Sequence, residues 1–540
     1  MRGALRATVL VADMLDEAGI ERLRAEPDLD VDVRTGLSPE ALVELIPAYD
    51  ALVVRSSTQV TAEVIEAGRR LRVVGRAGVG VDNIDVDAAT RRGVLVVNAP
   101  GGNTLAAAEH TLGLLLAAAR WIPQAHVSLT RDHQWDRKRF MGVQLRGKVL
   151  GVVGLGRIGS EVARAAQALG MRVLAYDPFI GAERAKELGV ELRELDALLP
   201  EADFLTLHTP LTDQTRHMLD RAAFARMKRG VILVNAARGG LIDEEALLEA
   251  LESGQVRAAA LDVFEEEPPR GSRLLDHPRV VATPHLGAST EEAQLHVALE
   301  IAEQVIRALK AEPVAHAVNA PSVPPELARE LEPYVRLAQK LGELFTLWAA
   351  GAGARWPEVE VVYGGPIAAR DVRPLTNALL VGLLQPVLQG AVNAVNAPVL
   401  ARQRQLRVSE VREAGGNGPS RIIVRAKQAA LGLAGGGPQV AGTIDDQGRP
   451  LLTAVDGYPV HVSATGHILL AYNRDQPGVI GAVGTLLGRA GVNIAFMQVG
   501  RRRPGEEAVM VLGLDDPIPE DVARELKARE ELWKVVIARW

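Results

Sequence analysis

Three polar side chains near the middle of the chain follow apolar runs that predict strands. Arg238 stands in NAARGGLIDEE, Glu267 in LDVFEEEPP and His285 in VVATPHLGAST. A guanidinium can hold a carboxylate through two parallel hydrogen bonds, and an imidazole can accept a hydroxyl proton near neutral pH. Because open α/β sheets bind ligands at the carboxyl ends of their strands, we expect these three residues to form one catalytic group.

Each of these residues also has an ordinary structural interpretation. Arg238 could form a surface ion pair, Glu267 could be a solvated loop acid, and His285 could simply precede a helix. Their common position at strand ends favours the catalytic interpretation, and the chemistry it suits is the oxidation of a 2-hydroxy acid by hydride transfer. Glu267 is then expected to bind the second imidazole nitrogen of His285. Asp262 is expected to contact a nicotinamide or its ribose, and the sequence leaves that choice open.

A glycine-rich turn provides the matching cofactor motif. In GVVGLGRIG, Gly154, Gly156 and Gly159 follow an apolar strand and open a helix, whose free N–H groups suit a pyrophosphate. Asp177 ends the next strand, where it can accept hydrogen bonds from the adenosine ribose. A 2′-phosphate there would meet like charge, at roughly 4 kcal/mol per unit pair, so NAD is favoured over NADP. The alternatives are a structural glycine turn and an aspartate that caps a turn before Pro178.

The elements around these motifs alternate between strands and helices, which predicts parallel sheets covered on both faces. One such unit fills the first hundred residues, and a second runs from KVLGVVG to VVATPHLG. The sequence pattern of residues 104–125 predicts one long helix between the two units. Residues 291–312 predict an amphipathic helix that begins at a Ser289-x-x-Glu292 capping box and returns to the first unit. The second unit is then inserted in the first.

The last two hundred residues form separate regions. The stretch PVAHAVNAPSVPPE marks a boundary near residue 320. Residues 322–460 mix helical and strand patterns and carry no chemical motif. From GHILLAYNRDQPG to the C-terminus the pattern is βαββαβ, which is typical of a ferredoxin-like unit.

Charge and composition exclude several classes of function. The 540 residues carry a net charge of −6, so no basic field for nucleic acid or an anionic membrane is present. The chain has no cysteine, which excludes disulfides, thiolate metal sites and cysteine nucleophiles and suits a cytoplasmic location. We expect no membrane span and no metal site.

These motifs, in this order and spacing, resemble the D-isomer-specific 2-hydroxyacid dehydrogenase family. The stretches VVRSST, GRAGVGVDNID and NAPGGNTLAAAEHT narrow the resemblance to the branch that oxidises 3-phosphoglycerate, in its long form. That resemblance implies an α/β fold: a doubly wound Rossmann-type cofactor domain inserted in a flavodoxin-like substrate domain, with an α+β intervening domain and a ferredoxin-like ACT domain. The implied boundaries are 1–100 with 288–320 for substrate, 101–287 for NAD, 321–462 for the intervening domain and 463–540 for the ACT domain.

The resemblance also assigns site residues. Arg238, Glu267 and His285 are implied as catalytic, with His285 as the proton carrier. Val79 stands where many members have threonine, so a hydroxyl contact is lost there. The RKRF stretch, residues 137–140, is a second candidate, after Arg55, for binding the 3-phosphate, and it would do so in a neighbouring subunit. The alternative is that this stretch is only a solvated surface. The implied substrate contacts are Arg55, Ser56, Gly78, Val79, Arg238 and His285. The implied NAD contacts are Val79, Gly154, Gly156, Arg157, Ile158, Gly159, Asp177, Thr209, Ala236, Ala237, Arg238, Asp262, His285 and Gly287.

The C-terminal ACT-like region implies an effector. Asp475 can take an α-ammonium group, and Asn473 and Asn493 suit a small polar amino acid, with L-serine expected; the alternative is a domain that only dimerises. The resemblance further implies a homo-oligomer, a dimer or a tetramer, and the first step of L-serine synthesis. Two other functions remain open: a relative acting on glyoxylate or hydroxypyruvate, and an NAD-sensing regulatory protein.

Overall fold

The computed structural model describes residues 6–350, 357–388, 390–413, 418–427, 438–462, 466–501 and 503–539. Its first sheet is parallel and five-stranded, in the order β2-β1-β3-β4-β5. This is the flavodoxin-like order. The strands are β1 Ala7–Val11, β2 Leu29–Val33, β3 Ala51–Val54, β4 Val73–Arg76 and β5 Leu95–Asn98; the helices are α1 Glu17–Arg24, α2 Pro39–Leu45, α3 Ala62–Ala67 and α4 Val86–Arg92.

The second sheet is parallel and seven-stranded, in the order β12-β11-β10-β9-β6-β7-β8. Counted from β6, its first six strands have the Rossmann order 3-2-1-4-5-6. The strands are β6 Val149–Val153, β7 Arg172–Tyr176, β8 Glu191–Leu192, β9 Phe204–Leu207, β10 Val231–Asn235, β11 Val256–Leu261 and β12 Val280–Ala282; the helices are α5 Thr104–Arg120, α6 Ile122–Thr130, α7 Arg157–Ala168, α8 Ala182–Glu187, α9 Leu195–Leu198, α10 Arg221–Arg226 and α11 Glu244–Glu252.

The single helix predicted over residues 104–125 is wrong. The chain leaves helical geometry at Trp121, whose φ of 55° is left-handed, and a new helix starts with Pro123 in its first turn. A proline there lacks the N–H that would continue the first helix, and it suits a helix start.

The predicted return of the later helix to the first sheet is confirmed. The helix α12, Glu291–Leu309, packs against α1 and β4, with Ile301 and Val305 fully buried. A Cβ on Gly75 of β4 would lie 2.7 Å from Val305 Cγ2, so the helix needs glycine in that strand. The predicted cap is displaced by one residue: Thr290, not Ser289, accepts from a backbone N–H, that of Ala293.

Two further sheets follow, a six-stranded mixed sheet in the order β14-β13-β15-β16-β17-β18 and a four-stranded antiparallel sheet in the order β20-β21-β19-β22. The strands are β13 Glu358–Gly364, β14 Arg407–Glu413, β15 Arg421–Ala426, β16 Gln439–Ile444, β17 Pro450–Val455, β18 Tyr458–Val462, β19 His467–Arg474, β20 Ile494–Arg501, β21 Glu507–Leu514 and β22 Leu532–Arg539; the helices are α13 Pro325–Ala350, α14 Arg373–Leu384, α15 Ala397–Gln403, α16 Val479–Arg489 and α17 Glu520–Ala528.

The last two sheets share one apolar core. One face of the four-stranded sheet, which includes Leu470 and Val511, packs in the same cluster as Phe345 of α13 and Val359 of β13. The other face, which includes Leu469, packs on α16 and α17. The two C-terminal regions, expected as separate units, are therefore packed together. Among the described residues, no helix is long and apolar enough to cross a membrane.

Candidate active site

A cavity of about 720 Å³ lies between the first two sheets, at the carboxyl ends of their strands. It brings together residues that are far apart in the sequence, from both α/β units. Every predicted substrate contact lines it, and so does Glu267: Arg55, Ser56, Gly78, Val79, Arg238, Glu267 and His285.

His285 and Glu267 form a hydrogen-bonded pair in this cavity, with 2.8 Å between Nδ1 and Oε2. Burial tends to raise the pKa of Glu267, but the hydrogen bond and charge of His285 outweigh it, and the pKa is lowered. An ionised carboxylate only accepts hydrogen bonds, so Nδ1 carries the proton in the neutral ring. The other nitrogen, Nε2, is then left with a lone pair that can take a proton from a substrate hydroxyl.

Arg238 spans the cleft rather than standing free. Its Nε donates to Asp82 Oδ2 at 2.7 Å, and Nη1 donates to the Ala237 carbonyl at 2.6 Å. Nη2 lies against Gly80, where a Cβ would be only 1.6 Å away. The Nε–H is therefore used by Asp82 and one Nη1 proton by Ala237, which leaves the second Nη1 proton and the Nη2 protons for a substrate carboxylate. The sequence interpretation missed Asp82, although it stands two residues after the glycine that makes room for the guanidinium.

The loop that carries Arg55 is held by two buried or half-buried polar side chains. Asp13, only 6% exposed, accepts from the backbone N–H of Arg55 at 2.6 Å and from the hydroxyl of Thr58 at 2.8 Å. Asn83 donates to the carbonyls of Arg55 and Thr58, both at 2.7 Å. The loop is thus fixed from both sides, which keeps the Arg55 guanidinium at the cavity.

A third arginine, Arg76 at the end of β4, lines the same cavity and was missed. Burial, and then the charge of Arg238, lowers its pKa to about 10, so it is still cationic at neutral pH. Its Nε is buried without a hydrogen-bond partner among the described residues. A Cβ on Gly78 would lie 1.5 Å from Arg76 Nη1, so glycine is required for this side chain to reach the cavity. The sequence GRAGVG could have indicated this residue, because it places Arg76 at the end of a strand.

The glycine-rich turn has the shape that a dinucleotide needs. Gly154 has a φ of 94°, and a Cβ on Gly159 would lie 2.0 Å from the Gly154 carbonyl oxygen. Around Gly156 the corresponding space is open, and this residue begins α7 without a side-chain cap. Asp177 accepts from the Leu155 N–H at 2.8 Å, which fixes its carboxylate beside the turn. These residues fit the pyrophosphate and ribose of NAD.

The remaining predicted NAD residues follow the strands of the same sheet. Thr209 follows β9, Ala236 and Ala237 follow β10, and Arg157 and Ile158 start α7. Asp262 is fully buried, and its carboxylate already accepts hydrogen bonds from several protein groups, including the Gly287 N–H at 2.8 Å. Val79 receives a hydrogen bond on its carbonyl from Asn98.

The three predicted effector residues do not meet within one chain. Asn473 lies opposite Ala508 at one end of the four-stranded sheet, whereas Asn493 precedes the end at which Ile494 pairs with Leu514. That separation is roughly 20 Å, at about 3.3 Å per strand residue. Asp475 is paired with Arg501 at 2.7 Å, and Asn493 donates to Asp515 at 2.6 Å. The oxygen Asn473 Oδ1 is buried without a partner among the described residues.

The RKRF stretch lies outside the cavity of its own chain. Residues 137–139 are exposed, and Lys138 and Arg139 donate their backbone N–H groups to Asp136. None of the four residues lines the cavity described above. A role in substrate binding would therefore require a second chain.

Three family descriptions match successive parts of the sequence. The NAD-binding domain of the D-isomer specific 2-hydroxyacid dehydrogenases matches residues 112–287. The intervening domain of D-3-phosphoglycerate dehydrogenase matches residues 330–456, and the ACT domain matches residues 467–531.

Similar proteins extend this match over nearly the whole chain. A D-3-phosphoglycerate dehydrogenase of Synechocystis sp. is 45% identical and covers 97% of this chain and 93% of its own. One of Methanocaldococcus jannaschii is 47% identical and covers 96% and 97%. Among solved structures, the D-lactate dehydrogenase of Aquifex aeolicus, complexed with NAD and lactic acid, is 28% identical with a TM-score of 0.53, and covers 58% of this chain and all of its own.

Proposed function

The chain belongs to the D-3-phosphoglycerate dehydrogenases of the D-isomer-specific 2-hydroxyacid dehydrogenase family, and from that premise we propose how its cavity performs the reaction. The activity is the NAD-dependent oxidation of 3-phospho-D-glycerate to 3-phosphohydroxypyruvate, the first step of L-serine biosynthesis. NAD, when bound, accepts the hydride from the carbon that bears the hydroxyl. The observation that carries the proposal is one cavity holding the His285–Glu267 pair and three arginines.

His285 is the proton acceptor in this proposal. Its Nε2 takes the hydroxyl proton as the C–H bond breaks, and the ring becomes an imidazolium. Glu267, ionised and 2.8 Å from Nδ1, stabilises that positive charge and keeps the ring in one tautomer. In the reverse reaction the same imidazolium returns the proton to the carbonyl oxygen.

Arg238 is proposed to bind the substrate carboxylate through its Nη1 and Nη2 end, because Asp82 holds the Nε edge. Asp177 and the turn around Gly156 are proposed to hold the ribose and pyrophosphate of NAD. We propose that Asp262 helps to place the nicotinamide.

Two cations remain for the 3-phosphate, Arg55 and the buried Arg76. Either arginine, when it lies close to a phosphate, donates a charge-assisted hydrogen bond, which is stronger than a hydrogen bond between neutral groups. This pair also separates the proposed reaction from that of a glyoxylate or hydroxypyruvate relative, whose substrates carry no phosphate.

The test is the variant Arg55→Gln, assayed with 3-phosphoglycerate and with glycerate. We expect KM for 3-phosphoglycerate to rise about tenfold or more, on the order of one lost charged hydrogen bond, while KM for glycerate changes little. Equal effects on both substrates would place Arg55 away from the phosphate and favour the unphosphorylated substrates.

An NAD-sensing regulator is disfavoured because Arg238, Glu267 and His285 are all present in one cavity.

We further propose a homo-oligomer in the cytoplasm, with L-serine as effector. Support for self-association comes from exposed apolar side chains on α6 and the following segment, among them Val127, Trp135 and Met141. Asn473 and Asn493 lie at opposite ends of the four-stranded sheet within one chain, so an effector site that contains both would require two chains. Light scattering on the purified protein gives the mass directly, and a monomer would overturn both proposals.

A further inference from the structure

The carboxylate of Asp262 is buried beside the active-site turn and is enclosed by donors from two segments, residues 283–287 and α5. Oδ1 accepts from the Leu286 N–H at 2.7 Å and from the Thr283 hydroxyl at 2.6 Å, and Oδ2 accepts from the Gly287 N–H at 2.8 Å. The fourth neighbour is His110 of α5, whose Nε2 lies 3.1 Å from Oδ1. Asp262 is 0% exposed, so each of these donors offsets the cost of burying its charge.

This carboxylate holds the turn that carries the proton acceptor. The backbone of His285 has a left-handed φ of 54°, which non-glycine residues seldom adopt. The His285 N–H donates to the Asp262 carbonyl at 2.8 Å, and the next two N–H groups donate to the Asp262 carboxylate. A shift of Asp262 would therefore move the His285 ring relative to Glu267 and the substrate.

The proton of His110 can be assigned from its partners. Thr283 uses its only hydroxyl proton for Asp262, so its oxygen can act only as an acceptor toward His110, at 3.2 Å. The Asp262 carboxylate is also an acceptor. Both contacts of Nε2 thus require an N–H there, shared between Thr283 and Asp262.

We propose that His110 is a positioning residue for the dehydrogenase reaction: its Nε2–H fixes Asp262 and Thr283, and through them the 285–287 turn that presents His285. The inference rests on the proposed role of His285 as proton acceptor. His110 lies on a helix that packs against β10, β11 and β12, so it ties the active-site turn to the rigid sheet. Hydrogen bonds, including that of His110, keep the pKa of Asp262 below its ordinary value against the effect of burial.

The test compares His110→Leu, which removes the donor, with His110→Gln, whose amide keeps one. For His110→Leu we expect kcat with 3-phosphoglycerate and NAD to fall about 10- to 100-fold, the range that a small misplacement of a reacting group produces. KM for 3-phosphoglycerate should change less than about threefold, because His110 does not line the cavity proposed for the substrate. His110→Gln should restore kcat to within about threefold of the parent.

Two further variants separate positioning from folding. His316→Leu removes a His–carboxylate pair of the same 3.1 Å length, with Glu300, and reports what such a loss costs in Tm. Thr283→Val removes the hydroxyl that His110 shares, so His110→Leu should cost much less in that background if both act on Asp262. This double-mutant cycle keeps the inference testable if either variant is less stable.

The outcomes are distinct. An unchanged kcat in His110→Leu, with the parent active, would overturn the inference and leave the proposed function intact. An equal loss in His110→Gln and His110→Leu would also overturn it, because donation would then be irrelevant. A parent that does not oxidise 3-phosphoglycerate would overturn the proposed function instead.

Discussion

At the scale of single residues, the site depends on side chains held by other side chains. In the proposed mechanism His285 can accept a proton at Nε2 because Glu267 binds its Nδ1. Its left-handed backbone costs roughly 1–3 kcal/mol that the Asp262 contacts must offset. Arg238 is fixed by Asp82 across the cleft. Loss of Glu267 should therefore affect kcat more than substrate binding, whereas loss of Asp82 should affect substrate binding through Arg238.

The variant Glu267→Gln tests this directly. We expect kcat to fall about a hundredfold or more, the scale of a positioned acid–base group, with little change in KM. The lowered pKa of Glu267 keeps it ionised as the pH falls through the ordinary carboxylate range, so the parent keeps the negative charge beside His285 there, while the variant lacks that charge at every pH. The matched control is Glu265→Gln, on the same loop as Glu267, which breaks the 3.0 Å pair between Glu265 and His217. An equal loss of kcat in the control would contradict this assignment.

Some site residues could be predicted from the sequence and others could not. Arg238, Glu267 and His285 were identifiable because each follows its own strand, and parallel strands end at one edge of the sheet. Arg76 was missed because its segment was interpreted through its glycines. Asp82 and His110 were missed because their partners lie 156 and 152 residues away, which no local pattern reveals.

At the scale of elements, glycines decide where backbone segments can approach each other. Gly159, in the first turn of α7, packs against the Gly154 carbonyl, whereas Gly156, just before the helix, faces open space. The two residues stand in one motif but have different physical tasks. The sequence motif alone gives both the same weight.

A pair of alanine variants separates those tasks. Gly159→Ala should lower Tm and abolish NAD binding, because its Cβ would lie 2.0 Å from a backbone oxygen. Gly156→Ala should leave Tm nearly unchanged, because no atom lies within 4 Å of its Cβ, and should weaken NAD binding, because that Cβ would enter the space proposed for the pyrophosphate. Thermal unfolding and NAD titration check both, and equal loss of Tm in the two variants would contradict the assignment.

Strand pairing and helix ends were harder to predict from the sequence than the order of the elements. The βαββαβ unit was predictable from its pattern, but the distance between Asn473 and Asn493 follows from strand pairing that sequence does not display. The break at Trp121 was missed because an alanine- and leucine-rich run outweighed Pro123. The displaced cap at Thr290 is the usual one-residue uncertainty of a helix end.

At the scale of the whole molecule, the two C-terminal units are joined through an aromatic cluster as well as a common core. Lys534 of β22 lies 3.6 Å from the Trp348 ring centroid, and Trp348 and Tyr472 both donate to Asp456. The ACT sheet and α13 are therefore in direct contact. The first sheet meets this half where Asn393 donates to the Gly93 carbonyl at 2.8 Å.

This cluster gives a pH dependence of known sign. Burial lowers the pKa of Lys534 to about 8, with the charge of Asp456 opposing it. Between about pH 8 and the ordinary lysine value near 10.4, the unfolded chain binds more protons, so stability from this group rises with pH. The Tm of the parent should rise relative to that of Lys534→Met across this window. A constant difference in Tm between the two proteins would contradict the assignment.

The cavity between the first two sheets is proposed as the place where 3-phosphoglycerate is oxidised with NAD. The most direct measurement is NADH absorbance in purified protein supplied with 3-phosphoglycerate and NAD, with the reverse assay from 3-phosphohydroxypyruvate and NADH as its complement. We predict NADH formation that depends on the phosphate of the substrate and that L-serine lowers. No reaction in either direction, in protein shown to bind NAD, would contradict the account.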